Sequence, residues 1–108
     1  MKRRMRMNLE QAFHESSAGL LVTDADFKVI WANHFEEEFY NKPVIGLEVV
    51  DCHRSENREK ISEFLAQFKA GAMKEFTKTA VGMIITYSSY TVDGEFAGLV
   101  RTRIRLPK

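Results

Sequence analysis

The chain carries little with which to crosslink, span or enclose. Cys52 is the single cysteine among 108 residues, which excludes an internal disulfide and fits a reducing compartment. Apolar runs are short, and none approaches the roughly 20 residues that a membrane span requires. The basic start Met1-Lys2-Arg3-Arg4-Met5-Arg6 is not followed by the apolar stretch of a signal peptide, so the expected location is cytoplasmic. Charge of one sign is scarce too. A formal net charge of +1 gives the chain no polyelectrolyte signal. Lys2, Arg3, Arg4 and Arg6 therefore read as a solvated terminus, not as a contact for nucleic acid or anionic lipid. His14, His34 and His53 show no metal-ligand spacing. No phosphate-binding glycine loop and no Ser–His–Asp arrangement can be assigned, so an enzyme is not expected. Internal repeats, linkers and low-complexity stretches are absent as well.

What remains suffices for one domain with a real core: 44% of residues are hydrophobic, 11% aromatic, and eight are phenylalanine. Met5, Leu9, Ala12 and Phe13 recur at the helical period, predicting a helix from about Met5 to Ser17. Two runs rich in branched and aromatic residues then flank the polar break Asp24-Ala25-Asp26, a hairpin signal over Leu20 to Ala32. Asn33, with Glu36 three residues on, predicts a capped helix from His34 to Tyr40, Glu36 reaching back to the cap. Phe35 and Phe39 share one face of it, and Asn41-Lys42-Pro43 stops it.

Val44 to His53 predicts short helical turns, not a strand. From Ser55 the clearest helix follows, with Ile61, Phe64, Leu65 and Phe68 at i, i+3, i+4, i+7 and Gly71 placed for a left-handed end. After Gly71 the period becomes two: Met73 to Val81, Met83 to Val92 and Phe96 to Leu106 predict strands. Gly82 separates the first pair and Asp93-Gly94 the second. The last strand alternates Val100, Thr102 and Ile104 with Arg101, Arg103 and Arg105. These arginines repel one another unless acids oppose them; Glu10 and Glu15 are candidate partners, and three solvated arginines are the plainer alternative. Strands adjacent within each group favour an antiparallel sheet with helices over one face, an α+β class.

These residues resemble a PAS domain from about Phe13 to Ile104. Val22 to Asn33, reading V-T-D-A-D-F-K-V-I-W-A-N, is similar to that family's first hairpin, with Asp24 and Asn33 at its signature polar positions. Asn33-His34-Phe35 with Phe39 resembles the start of its first inner helix, and Ser55 to Ile61 the opening of its long connecting helix. Asp93 to Val100 resembles its last hairpin turn and final strand. Two departures stand out. Phe27 occupies a hairpin position where glycine is usual, so a bulky residue must avoid or endure a positive φ. The final strand runs out at Thr102 to Lys108, which leaves a free-standing module and one trimmed from an output domain both open.

The resemblance implies an α+β PAS-like fold: a five-stranded antiparallel sheet with helices covering one face and an N-terminal helix. Residues 1–17 form that helix and residues 18–108 the PAS domain. It implies sensing or protein interaction, usually as a dimer, without catalysis, and makes Asp24 a structural hydrogen-bonder, not a general base. The homodimer contact is expected through Met5, Leu9 and Phe13, an apolar stripe that needs a covering surface. The downstream signalling partner is not specified.

A sheet cupped by short helices readily encloses a small-molecule cavity. Its expected lining is Phe35, Phe39, Ile61 and Leu65 from the helices and Tyr87, Ser89 and Thr102 from the late strands. Within Asp51-Cys52-His53-Arg54, His53 is the candidate ligand for haem iron, against the plainer reading of a polar residue at a helix start. Cys52 invites comparison with the flavin-binding LOV branch, but the segment lacks that branch's N-C-R-F-L-Q pattern and its flavin-binding Asn and Gln. Cys52 then remains a candidate redox thiol or a small hydrophobe. The alternative to a ligand site is a ligand-free interaction module whose aromatics fill the core.

Overall fold

The computed structural model describes residues 8–49 and 55–107. Its elements are helix α1 (Leu9–His14), strands β1 (Gly19–Thr23) and β2 (Val29–Ala32), helix α2 (His34–Tyr40), a 3-10 turn at Ser55–Asn57 leading into helix α3 (Arg58–Lys69), and strands β3 (Glu75–Ala80), β4 (Met83–Val92) and β5 (Glu95–Arg105). The strands form one antiparallel sheet in the order β2-β1-β5-β4-β3. This is the expected α+β architecture. Among the described residues no helix is long and apolar enough to cross a membrane.

The alternation along each strand sorts the sheet into two faces. Leu21, Met83, Ile85, Tyr87 and Leu99 are buried on the inner face, together with Leu65 and Phe68 of α3, Phe35 of α2 and Val44 and Val49 of the connecting segment. Phe64 ties this core to the far strands. Its ring centroid lies 5.2 Å from Phe68, 5.1 Å from Phe76 and 5.1 Å from Tyr87, all edge-on, the geometry aromatic quadrupoles favour. The outer face carries Leu20, Val22 and Trp31, with Leu20 paired to Thr102 and Val22 to Val100. A bulge makes Ile30 the extra residue between the pairs Val22–Trp31 and Thr23–Val29.

Three expectations are corrected. Helix α1 is shorter, ending at His14, and none of its residues is buried; Met5 lies outside the described residues. Residues 44–49 form turns and no strand, as expected: Leu47 N donates to the Val44 carbonyl at 3.1 Å, and Gly46 takes a φ of +94°. Gly46 and Val49 donate to Val29 and Phe27, and Leu47 accepts from Val29, so the segment pairs with the start of β2 and spares that edge its unpaired groups. The rest of that stretch, Val50 to Arg54, lies outside the described residues. Thr102 sits on the outer face, because its partners there are Leu20 and Thr86. Finally, Arg101 and Arg103 point inward, at 2% and 6% exposure, and are not solvated.

Turn chemistry follows the sequence. Both two-residue turns, Val81-Gly82 and Asp93-Gly94, hold positive φ at each central residue, as the twist of a tight hairpin demands. Phe27 also takes a positive φ of 63°. Around it Asp24 organises the first turn, its carboxylate accepting from the backbone N–H groups of Asp26 at 2.9 Å and Lys28 at 3.0 Å. That is the structural role expected of it. Gly71 ends α3 with φ +79° as expected.

Candidate functional site

Two regions carry more chemistry than packing alone requires: the space beneath α2 and the groove on the outer face. The first begins with Asn33, which no water reaches. Its Oδ1 accepts from Leu20 N at 3.0 Å and Glu36 N at 3.3 Å, while Nδ2 donates to the carbonyls of Phe13 and Ala18, each at 2.8 Å. One side chain thus caps α2, holds β1 and ties the end of α1. The expected cap is real, but the expected return of Glu36 to it does not occur.

Glu36 instead turns under α2 and is fully buried. Arg101 Nη2 donates to its Oε1 at 2.5 Å, and Arg103 Nε lies 3.3 Å from Oε1 and 3.0 Å from Oε2. Tyr40 closes the cluster, its hydroxyl oxygen accepting from Arg101 Nη2 at 3.0 Å and Arg103 Nη2 at 2.7 Å. Arg103 also lies 4.1 Å above the Phe39 ring, and Arg105 4.7 Å above Phe35, so cation–π attraction reinforces the pairing. Gly19 makes room for all this, because a methyl group there would overlap Glu36 Oε2 and Phe35. Burial works against the charge of Arg101, but Tyr40, Glu36 and Tyr87 outweigh it and hold its pKa above the ordinary value. The counter-ion for Arg101 and Arg103 is therefore Glu36, and not Glu10 or Glu15.

This cluster disperses the expected ligand site. Phe35 is buried against the arginine ladder, whereas Phe39 is exposed and stacked under Arg103. Tyr87 is buried in the aromatic cluster around Phe64, and Ile61 packs half-buried against the same core. Ser89 donates its N–H to the Lys74 carbonyl at 3.0 Å. Thr102 is on the other face. Leu65 lines a cleft of about 240 Å³ between α3 and the first hairpin, with Asp26, Phe27, Glu48, Val49, Ser62, Ala66 and Lys69. His53 and Cys52, the haem and redox candidates, lie outside the described residues. Among the described residues no cluster of three or more His, Cys, Asp or Glu side chains is arranged to hold a metal ion.

The outer face offers the larger space. A groove of about 480 Å³ runs between α1 and the sheet, lined by Glu10, Phe13, Leu20, Val22, Trp31 and Val100. The six-residue α1 covers it only partly: Leu9 is 63% and Phe13 51% exposed. At the far end of β1, Tyr90 donates to the Thr23 carbonyl at 2.8 Å, and Leu99 N donates to Thr23 Oγ1 at 3.0 Å. Burial, then the nearby Asp24 charge, pushes the Tyr90 pKa upward. The Glu36 cluster was missed, although three arginines alternating on a strand that must lie mid-sheet were a signal of it.

No protein-family model matches the chain, and no curated protein matches it. Solved structures do. The PAS domain of BvgS from Bordetella pertussis superposes with a TM-score of 0.74 at 14% identity, covering 93% of this chain and 85% of that one. The PAS domain of a protein from Colwellia psychrerythraea gives 0.69 at 18% identity, covering 89% and 92%. The PAS domain of nitrogen regulation protein NR(II) from Vibrio parahaemolyticus gives 0.62 at 14% identity, covering 92% and 99%. The chain has the PAS fold.

Proposed function

We propose that this PAS-fold domain is a regulatory interaction module that works as a homodimer through α1 and the outer sheet face, with its interior filled by its own side chains. The observation that carries this is the apolar groove of about 480 Å³ under a helix that buries none of its own residues. Exposed Leu9 and Phe13 beside Leu20, Val22, Trp31 and Val100 make a continuous apolar surface of the kind that marks an interface. The ligand-free form is favoured over a cofactor-loaded sensor because Phe68, Leu99, Arg101 and Glu36 occupy the interior at 2% exposure or less. The cleft beside Leu65, about 240 Å³, is also smaller than the roughly 300–1,000 Å³ of ordinary ligand pockets.

Sedimentation of the 108-residue chain tests the dimer. The expected result is a concentration-dependent dimer that Phe13→Asp dissociates, with a blue-shifted emission of the single tryptophan, Trp31, in the associated form. A monomer at every concentration, indifferent to Phe13→Asp, sinks the reading. An absorption spectrum of the same sample tests the interior. A colourless protein supports the filled core, whereas a haem Soret band lost in His53→Ala restores the cofactor reading.

A further inference from the structure

We propose that His14 and His34 bind one divalent transition-metal ion, of the nickel, copper or zinc kind, and clasp α1 to α2 through it. The proposal goes beyond the dimer reading and does not rest on it. The two histidines are far apart in sequence, so no spacing announces them, and the fold brings them together. Asn33 Nδ2 donates to the Phe13 carbonyl at 2.8 Å, and each histidine directly follows one member of that bonded pair. Their ring centroids lie 6.1 Å apart, with the planes tilted by 55°.

That separation suits one ion held between two rings. Two imidazoles on one ion, each with a nitrogen–metal bond of about 2.0–2.1 Å, set their ring centres roughly 5–6 Å apart. The Asn33 bond fixes the backbone beside both side chains, so binding has little further freedom to remove. Neither ring is buried: the His34 side chain is 61% exposed and His14 is half-buried. Both can turn through the remaining distance without disturbing the core. Imidazole is a ligand that nickel, copper and zinc share, whereas magnesium and calcium take oxygen.

The surroundings favour a cation. Glu38 Oε1 lies 2.9 Å from His34 Nε2, one turn along α2. A carboxylate that close keeps the ring hydrogen on Nε2 and leaves Nδ1 its lone pair for a metal. On α1, Glu10 stands one turn before His14, on the same side of the helix. A cleft of about 290 Å³ opens there, lined by Asn8, Glu10, Gln11, His14 and Trp31, with room for an ion and its waters. Among the described residues no third His, Cys, Asp or Glu is arranged with the pair to hold an ion, so water fills the remaining coordination positions. Such an open site exchanges its ion, unlike a closed structural centre. The bound ion fastens α1, which buries none of its own residues, to α2, which is anchored by Phe35 and Glu36.

Equilibrium dialysis of the untagged full chain against nickel chloride tests the site. The expected result is saturation at one ion per chain. His14→Ala and His34→Ala each raise the half-saturating concentration about a hundredfold, and Glu38→Gln raises it about tenfold. His53→Ala leaves it unchanged. Titration of the wild-type chain with zinc chloride is expected to shift the ring-proton NMR signals of His14 and His34 together, a readout that needs no variant to fold. No saturable uptake, half-saturation only in the millimolar range, or uptake that survives both His14→Ala and His34→Ala overturns the proposal. So does uptake lost in His53→Ala alone, or zinc shifts that leave both rings unmoved. An equal response to magnesium chloride overturns the imidazole assignment.

Discussion

Glu36 and Val81 are the residues where local sequence rules and the fold disagree most. Glu36 stands where a capping-box acid belongs, yet its carboxylate serves the arginines of β5 and not the helix end. Glu36→Ala leaves two guanidiniums buried without a counter-ion, so a loss of about 3–5 kcal/mol is expected in chemical denaturation. Replacing Glu36, Arg101 and Arg103 together by Leu, Met and Met is expected to recover most of it, because apolar groups of similar volume need no partner. A triple variant as unstable as Glu36→Ala would refute that account. Val81 poses the opposite problem. It is β-branched, 81% exposed and held at φ 54°, a region such residues avoid. Val81→Asn supplies the residue that this turn prefers and loses no packing. A gain of about 1 kcal/mol is expected, read as a shifted denaturation midpoint with an unchanged slope.

Among the elements, α1 and α2 depend on tertiary partners more than on themselves. Six and seven residues are too few for a stable isolated helix. Asn33 supplies what they lack, joining the end of α1, the start of β1 and the first turn of α2. Asn33→Ala removes the cap and leaves partly buried backbone groups of Leu20, Phe13 and Ala18 without their partner, so a loss of about 2 kcal/mol is expected. Asn33→Asp retains the acceptor but cannot donate to the two carbonyls. It is expected to be nearly as unstable, and a wild-type midpoint for it would show that the donor side matters little. By contrast α3 is legible alone, because twelve residues present Ile61, Phe64, Leu65 and Phe68 on one stripe. The three late strands are equally legible, since their turns and their period of two agree.

For the whole molecule, the sheet divides the work. Its inner face is closed by helices, aromatic side chains and the ion cluster. Its outer face is apolar near β1 and β2 and, among the described residues, is covered by α1. A domain this small buries a limited fraction of its surface, and a second copy on that face removes more. If the dimer forms there, the thermal midpoint rises with protein concentration in the wild type and not in Phe13→Asp. At this scale the expected lining residues separate: Leu65 lines a cleft beside the first hairpin, Phe39 is exposed under Arg103, and Thr102 lies on the outer face. A strand's alternation says which residues share a face but not which face is covered, and Thr102 fell on the other side.

The amino-acid order alone determined the elements, the antiparallel pairing and the hairpin turns, because hydrophobic period, turn residues and capping act over a few neighbouring positions. Tertiary structure alone decided that Glu36 would meet Arg101 and Arg103, 65 and 67 residues away, and that the arginine face of β5 would be the buried one. That choice depends on which sheet face the helices cover, and burial of a charge becomes tolerable only once its distant partner is in place.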